Sequence, residues 1–271
     1  MSTAVITTPG LIQFLNTMRN HMKLCGYSSG TVKAYLGQVQ SFISFNRPIN
    51  LRNITGQDIQ SYLNQLVDSG LSRSTVDQAT KAMEILYYEL FGKQLNLSGF
   101  KRPKKARTLP TFLSPNEVDQ IISHTKTFRN RLMIELAYSA GLRVSELVKI
   151  KVEHLKLDRL MLHVPELERN KRTTFFSKYL KDSLGRQIGA KNIGQYLFPS
   201  ERGGALTTRA VAKFFKKSLI ASGIKKLATP HSLRQSFINF RFNQGTDLDA
   251  IKNTLGQKIT FSTFSDSKKA A

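Results

Sequence analysis

Ten residues in the middle of the chain, Lys101-Arg102-Pro103-Lys104-Lys105-Ala106-Arg107-Thr108-Leu109-Pro110, carry two prolines and five cations. Proline has no amide hydrogen to give a helix or an inner strand, and clustered cations resist being packed together. This stretch therefore reads as a linker, and it divides the chain into domains at 1–100 and 114–271, joined by 101–113. With 271 residues in all, 40% of them hydrophobic, two separate cores can be filled and wholesale disorder is excluded.

The first domain reads as four helices. Leu11, Phe14, Leu15, Met18 and Met22 recur at helical spacing before Gly26, a natural stop, and Val32, Tyr35, Leu36, Val39, Phe42 and Ile43 repeat the pattern. Thr55-x-x-Asp58 and Ser74-x-x-Asp77 are expected to cap helices over Ile59–Val67 and Val76–Phe91. These apolar stripes are core, and no chemistry is assigned to them.

The second domain opens on Ser114-Pro115-Asn116-Glu117, a capping box with proline at the first helical position. Helical periodicity continues through Ile121 and from Leu132 to Tyr138. Leu160, Leu162 and Val164 alternate as a strand does, with Thr173–Phe176 as a short antiparallel mate. Further helices are expected over Leu180–Ile188, Thr207–Ala221, Leu233–Phe242 and Leu248–Leu255. The fold class is mainly α: a four-helix domain followed by a mostly helical α+β domain with one small antiparallel sheet.

Lysine and arginine number 41 against 18 acidic residues, a net charge of +23. An excess of that size favours a polyanionic partner, nucleic acid first and an anionic membrane second. No apolar run approaches the roughly 20 residues that span a bilayer, and no secretory signal opens the sequence. Cys25 is the single cysteine, which excludes an internal disulfide and a cysteine-rich zinc site and suits a reducing cytoplasm. The linker cations Lys101, Arg102, Lys104, Lys105 and Arg107 are expected to lie along a phosphate backbone.

Four residues in three motifs carry the chemistry. They are Arg143 in Ala140-Gly141-Leu142-Arg143-Val144-Ser145-Glu146-Leu147, Lys171 in Asn170-Lys171-Arg172-Thr173, and His231 and Arg234 in His231-Ser232-Leu233-Arg234. Singly, each has an ordinary explanation: Arg143 as a surface cation paired with Glu146 at i+3, His231 as a satisfied histidine at a helix start. Together, two guanidinium forks match the oxygens of one phosphate and neutralise charge that builds in its transition state. A histidine beside them accepts a proton near neutral pH, and a lysine on a ribbon reaches a leaving oxygen. Arg169 and Arg172 flank that lysine and are expected to add phosphate contacts. No acidic cluster of the kind that holds Mg²⁺ and no Gly-x-x-x-x-Gly-Lys-Ser/Thr loop is visible, so neither metal nor nucleotide cofactor is expected.

The ordered set resembles the tyrosine recombinases, the phage-integrase and Xer-like enzymes that cut and rejoin DNA. The resemblance covers 9–100 as a core-binding domain, 101–113 as the linker and 114–264 as the catalytic domain. It implies that Arg143 and Arg234 bind the scissile phosphate, Lys171 is the general acid and His231 assists proton transfer. It also implies a tyrosine that forms a 3′-phosphotyrosyl link to double-stranded DNA, and a homo-oligomer, dimer to tetramer, on that DNA. Two positions depart from the pattern. Gln257, in Leu255-Gly256-Gln257, stands where the family has histidine or tryptophan, and Phe264, ending Thr260-Phe261-Ser262-Thr263-Phe264, stands at the nucleophile position. A phenyl ring has no hydroxyl. The sequence thus leaves two functions open: a site-specific recombinase blocked at cleavage, or a non-catalytic DNA-binding or accessory protein on the same scaffold.

Overall fold

The computed structural model describes residues 8–46, 53–104, 111–165 and 172–255. The chain divides into two compact units, Met1–Thr108 and Leu109–Ala271.

The first unit holds α1 (Thr8–Leu24), α2 (Ser29–Phe45), α3 (Gly56–Asp68) and α4 (Arg73–Phe91). Its core is the set of stripes expected from the periodicity, with Met18, Met22, Val39, Phe42, Ile59, Leu63, Met83 and Leu86 all buried. Thr55 and Asp58 form the expected capping box on α3: the Asp58 amide donates to Thr55 Oγ1 at 3.2 Å and the Thr55 amide to Asp58 Oδ2 at 2.8 Å.

α4 starts earlier than expected. Its cap is Ser72, whose Oγ accepts from the Thr75 amide at 3.3 Å. Asp77 is instead drawn to cations, with Arg73 Nε at 3.4 Å and Arg102 Nε at 3.6 Å. A carboxylate that neutralises two guanidiniums is of more use there than as a cap on its own helix. Arg73 also donates to the Pro103 carbonyl at 3.2 Å, so the start of the linker is fastened to the first turn of α4.

The second unit runs α5 (Pro115–Ser123), α6 (Phe128–Ser139), α7 (Val144–Leu147), β1 (Leu155–Lys156), β2 (Met161–Val164), β3 (Arg172–Phe175), α8 (Lys181–Ile188), α9 (Thr208–Ala221), α10 (Pro230–Asn243) and α11 (Leu248–Leu255). The sheet is antiparallel in the order β1-β2-β3, with Leu162 opposite Thr174 and Val164 opposite Arg172. Two strands were legible in the sequence and the third was not, because β1 is only two residues long. Leu160, expected within a strand, adopts φ 53° after a 3-10 turn and precedes β2.

The buried centre gathers Met133 and Leu136 of α6, Leu162 of β2, Leu184 of α8, Phe215 of α9 and Leu233 of α10. α10 begins at Pro230, three residues before the expected Leu233, because Pro230 suits the first helical position and the Thr229 amide donates to Ser232 Oγ at 3.1 Å. His231 therefore stands in the first turn and Arg234 one turn on. The Leu113 amide donates to Ser236 Oγ at 2.8 Å, which ties the entry of this unit to the same helix.

Candidate active site

The site is assembled around one buried carboxylate. α6 stops at Gly141, whose φ of +60° is a conformation that side chains strain to adopt. There is also no room for one: a Cβ there would lie 2.7 Å from Cδ1 of Phe237 on α10. The turn delivers Arg143 as the residue before α7, and its amide donates to Glu146 Oε2 at 2.7 Å while its Nη1 donates to Oε1 at 2.9 Å. Glu146 is 3% exposed. From the edge strand β3, Arg172 Nη2 donates to the same Oε2 at 2.7 Å. Arg234, 1% exposed, brings Nη1 to within 3.7 Å of Oε2. Arg234 is oriented by main chain: Nη1 donates to the Gly141 carbonyl at 2.6 Å and Nη2 to the Leu255 carbonyl at 3.0 Å. Thr174 Oγ1 donates to the Ala140 carbonyl at 3.0 Å and locks β3 under the same turn.

Arg143 and Arg172 thus donate to one carboxylate, and Arg234 stands 3.7 Å from it. Burial alone would raise the Glu146 carboxyl, but the Arg143 amide and the charges of Arg172 and Arg234 outweigh it and hold the group below the usual carboxylate range. Burial, then Arg143 and Arg172, push the Arg234 guanidinium down to about 9, so it remains a cation at neutral pH. His231 is lowered by the packing around it and then by Arg234 and Arg143, which keeps its imidazole neutral and able to accept a proton. The arrangement suits an anion: negative charge arriving beside Arg143, Arg234 and His231 would offset the burial and the mutual repulsion that lower Arg234 and His231.

Residues 111–263 match the family model described as Phage integrase family, and residues 14–97 match the one described as Phage integrase, N-terminal SAM-like domain. The chain belongs to the phage integrase family. Among relatives of this tyrosine recombinase chain, the XerD recombinase of Oceanobacillus iheyensis is 29% identical over 253 residues, covering 85% of this chain and 84% of its own. The XerC recombinase of Bacillus subtilis is 29% identical over 269 residues, covering 88% and 85%. The fold is similar to that in the crystal structure of a lambda integrase dimer bound to a COC′ core site, with a TM-score of 0.73, 19% identity, and coverage of 92% of this chain and 95% of that one.

Of the residues singled out in this recombinase sequence, Arg143, Arg234 and His231 are brought together. Arg172 requires correction: expected to contact DNA, its side chain is 6% exposed and donates inward to Glu146 and, through Nη1, to the Thr254 carbonyl at 2.5 Å. An arginine opening an edge strand beside a buried carboxylate is drawn to that carboxylate rather than to solvent. Lys101, Arg102 and Lys104 are exposed, with Arg102 facing Asp77. Lys105, Arg107, Arg169, Lys171, Gln257 and Phe264 lie outside the described residues. Glu146 was passed over as a site residue. Its signal was its place three positions after Arg143, next to Leu147. A cavity of about 590 Å³ lies beside β3 and α11, lined by Glu135, Tyr138, Phe175, Phe240 and Thr254 among others, and its lining does not include the arginine pair. Among the described residues no group of three histidine, cysteine or acidic side chains could hold a metal ion, and no helix is long and apolar enough to cross a membrane.

Proposed function

We propose that this chain is a site-specific DNA recombinase in which Arg143 and Arg234 clasp the scissile phosphodiester, and that phenylalanine at position 264 stops it before strand cleavage. The observation that carries this reading is that residues from α6–α7 and α10 converge on one buried carboxylate with positive charge to spare. In the family's reaction a phenol oxygen attacks phosphorus, the 5′ oxygen leaves, and a proton must reach that leaving oxygen. Here Arg143 and Arg234 would hold the two non-bridging oxygens in line. His231, neutral beside them, would accept and return a proton, and Lys171 would protonate the leaving oxygen. Gln257 can donate a hydrogen bond to the phosphate but cannot shuttle a proton. Phe264 supplies no oxygen, so the first bond is never made.

The partner is a double-stranded recombination site, engaged by the two units with the linker cations Lys101, Arg102, Lys104, Lys105 and Arg107 along its backbone. Assembly as a dimer or tetramer on DNA is supported by the lambda integrase structures, one a dimer on a core site and another a tetramer on a Holliday junction. The reducing cytoplasm is the expected compartment.

The test begins with selection of bound fragments from a duplex library and footprinting of the winner. Phe264→Tyr is then incubated with that site. A denaturant-resistant protein–DNA adduct is expected, and it should disappear when Arg234→Ala is added. A footprinted site with no adduct, in a folded Phe264→Tyr protein, points to the second reading, a DNA-binding accessory protein. That reading is favoured by the two departures at 257 and 264 together.

A further inference from the structure

Arg172 is a buried cation whose bonds join the start of β3 to Glu146 of α7 and to the end of α11. Its Nη2 donates to Glu146 Oε2 at 2.7 Å and its Nη1 to the Thr254 carbonyl at 2.5 Å. Its Nε is buried with no partner among the described residues. A brace chosen only for stability would not need this, since replacing a buried ion pair by well-packed apolar groups is often neutral or favourable. The charge is better understood through what it does to Oε2. That oxygen already accepts from the Arg143 amide at 2.7 Å and from Arg172 at 2.7 Å, and Arg234 Nη1 stands off at 3.7 Å. Beyond hydrogen-bond length, Arg234 Nη1 donates instead to the Gly141 carbonyl at 2.6 Å. Arg172 and Arg234 also hold consecutive carbonyls at the end of α11, Thr254 and Leu255, where a helix carries partial negative charge.

We propose that Arg172 is a positioning residue of the anion site: by occupying Glu146 Oε2 and the end of α11 at once, it keeps Arg234 off the carboxylate and aimed with Arg143 at a phosphate. This rests on the reading of Arg143 and Arg234 as phosphate ligands. Without Arg172, Oε2 loses a donor, Arg234 Nη1 closes onto it, and the fork leaves the position from which it meets an oxyanion. The end of α11 loses one of its two arginine ties at the same time. Glu146 then neutralises the phosphate ligands instead of orienting them.

Inorganic phosphate, and vanadate as a pentavalent mimic, are the probes, titrated at constant ionic strength into the full-length protein. The readout is the side-chain Nε–H resonances of the buried arginines and the ring resonances of His231. In the unmodified protein both probes are expected to shift Arg234 and His231 along one saturable curve. Arg172→Met should weaken that curve about tenfold, and its Arg234 resonance should already be displaced without anion. Arg172→Lys restores the charge but cannot hold Glu146 and the Thr254 carbonyl together, so it should recover only part of the affinity while Arg234 remains displaced. Full recovery by lysine would reduce Arg172 to a charge, and an unchanged curve in a folded Arg172→Met would remove it from the site; either overturns the proposal. If methionine does not fold, the lysine variant decides alone. A different result, no response of Arg234 or His231 to either probe in the unmodified protein, overturns the phosphate reading itself.

Discussion

Glu146 is the residue on which the other side chains of the site depend. Removing it takes away the carboxylate toward which three guanidiniums converge, two of them almost wholly buried. Breaking a buried pair in this way typically costs about 3–5 kcal/mol. Glu146→Ala is accordingly expected to lower the free energy of unfolding by that amount, and a loss under about 1 kcal/mol in urea unfolding would show that the carboxylate is not the centre of the cluster. The pH dependence has a definite sign. Because Glu146 is held below its unfolded value, its contribution is complete above the ordinary carboxylate range and is lost as pH falls through the lowered folded value. His231 acts in the same direction on acidification: its imidazole is lowered, so the unfolded chain takes up a proton before the folded one does. Its ring resonances should therefore titrate below about 6.5 in the free protein. A bound phosphate, bringing negative charge beside it, should move that midpoint upward, and a midpoint above the ordinary value in free protein would contradict the site's electrostatics.

The elements that present these residues are set by turns and caps more than by the helices between them. Gly141 is the sharpest case, since both its φ of +60° and the 2.7 Å approach of Phe237 to a notional Cβ exclude a side chain. Gly141→Ala should destabilise the protein by about 1–3 kcal/mol from strain and overpacking. It should also weaken DNA binding, because the carbonyl that orients Arg234 moves with it. A variant as stable and as tightly binding as the original would mean that α10 can shift to accommodate it. This turn also marks how far the sequence could be read. Apolar periodicity located the helices, and Ser114 and Thr55 with their acids three residues on located two starts, because a capping box is written within four residues. The start of α4 was misread because Ser72 and Ser74 are equally good caps by composition; in the fold Ser72 accepts from the Thr75 amide and Asp77 pairs with Arg73 and Arg102. The meeting of Arg143 with Arg234 could be expected from motifs. The buried role of Glu146 and the inward turn of Arg172 could not, for they depend on which side of β3 faces the α6–α7 turn. A register of Val164 opposite Arg172 fixes that, and no local spacing encodes it.

For the whole molecule the decisive quantity is charge. A surplus of +23 spread over two units and a cationic linker is far more than the proposed anion site needs, and it should set the strength of the first encounter with DNA. Each phosphate neutralised by a lysine or arginine releases counterions, so log K should fall with log salt at a slope of about −0.9 per contact. If 101–107 and both units take part, as proposed, six to ten contacts are a conservative number. The affinity should then drop by roughly 10³–10⁵ between 50 and 200 mM salt. Neutralising Lys101 and Lys104 together, two exposed linker cations, should reduce the slope by about 2 and weaken all duplexes alike, because backbone contacts carry no sequence information. Arg234→Ala, in contrast, removes on the proposed reading a donor to one phosphate only and should leave the slope nearly unchanged on random duplex. Fluorescence anisotropy with a labelled duplex, repeated across salt for the three proteins, separates the two kinds of cation. Equal slopes in all three would mean that the linker does not follow the backbone, and that the charge surplus acts at long range without settling on DNA.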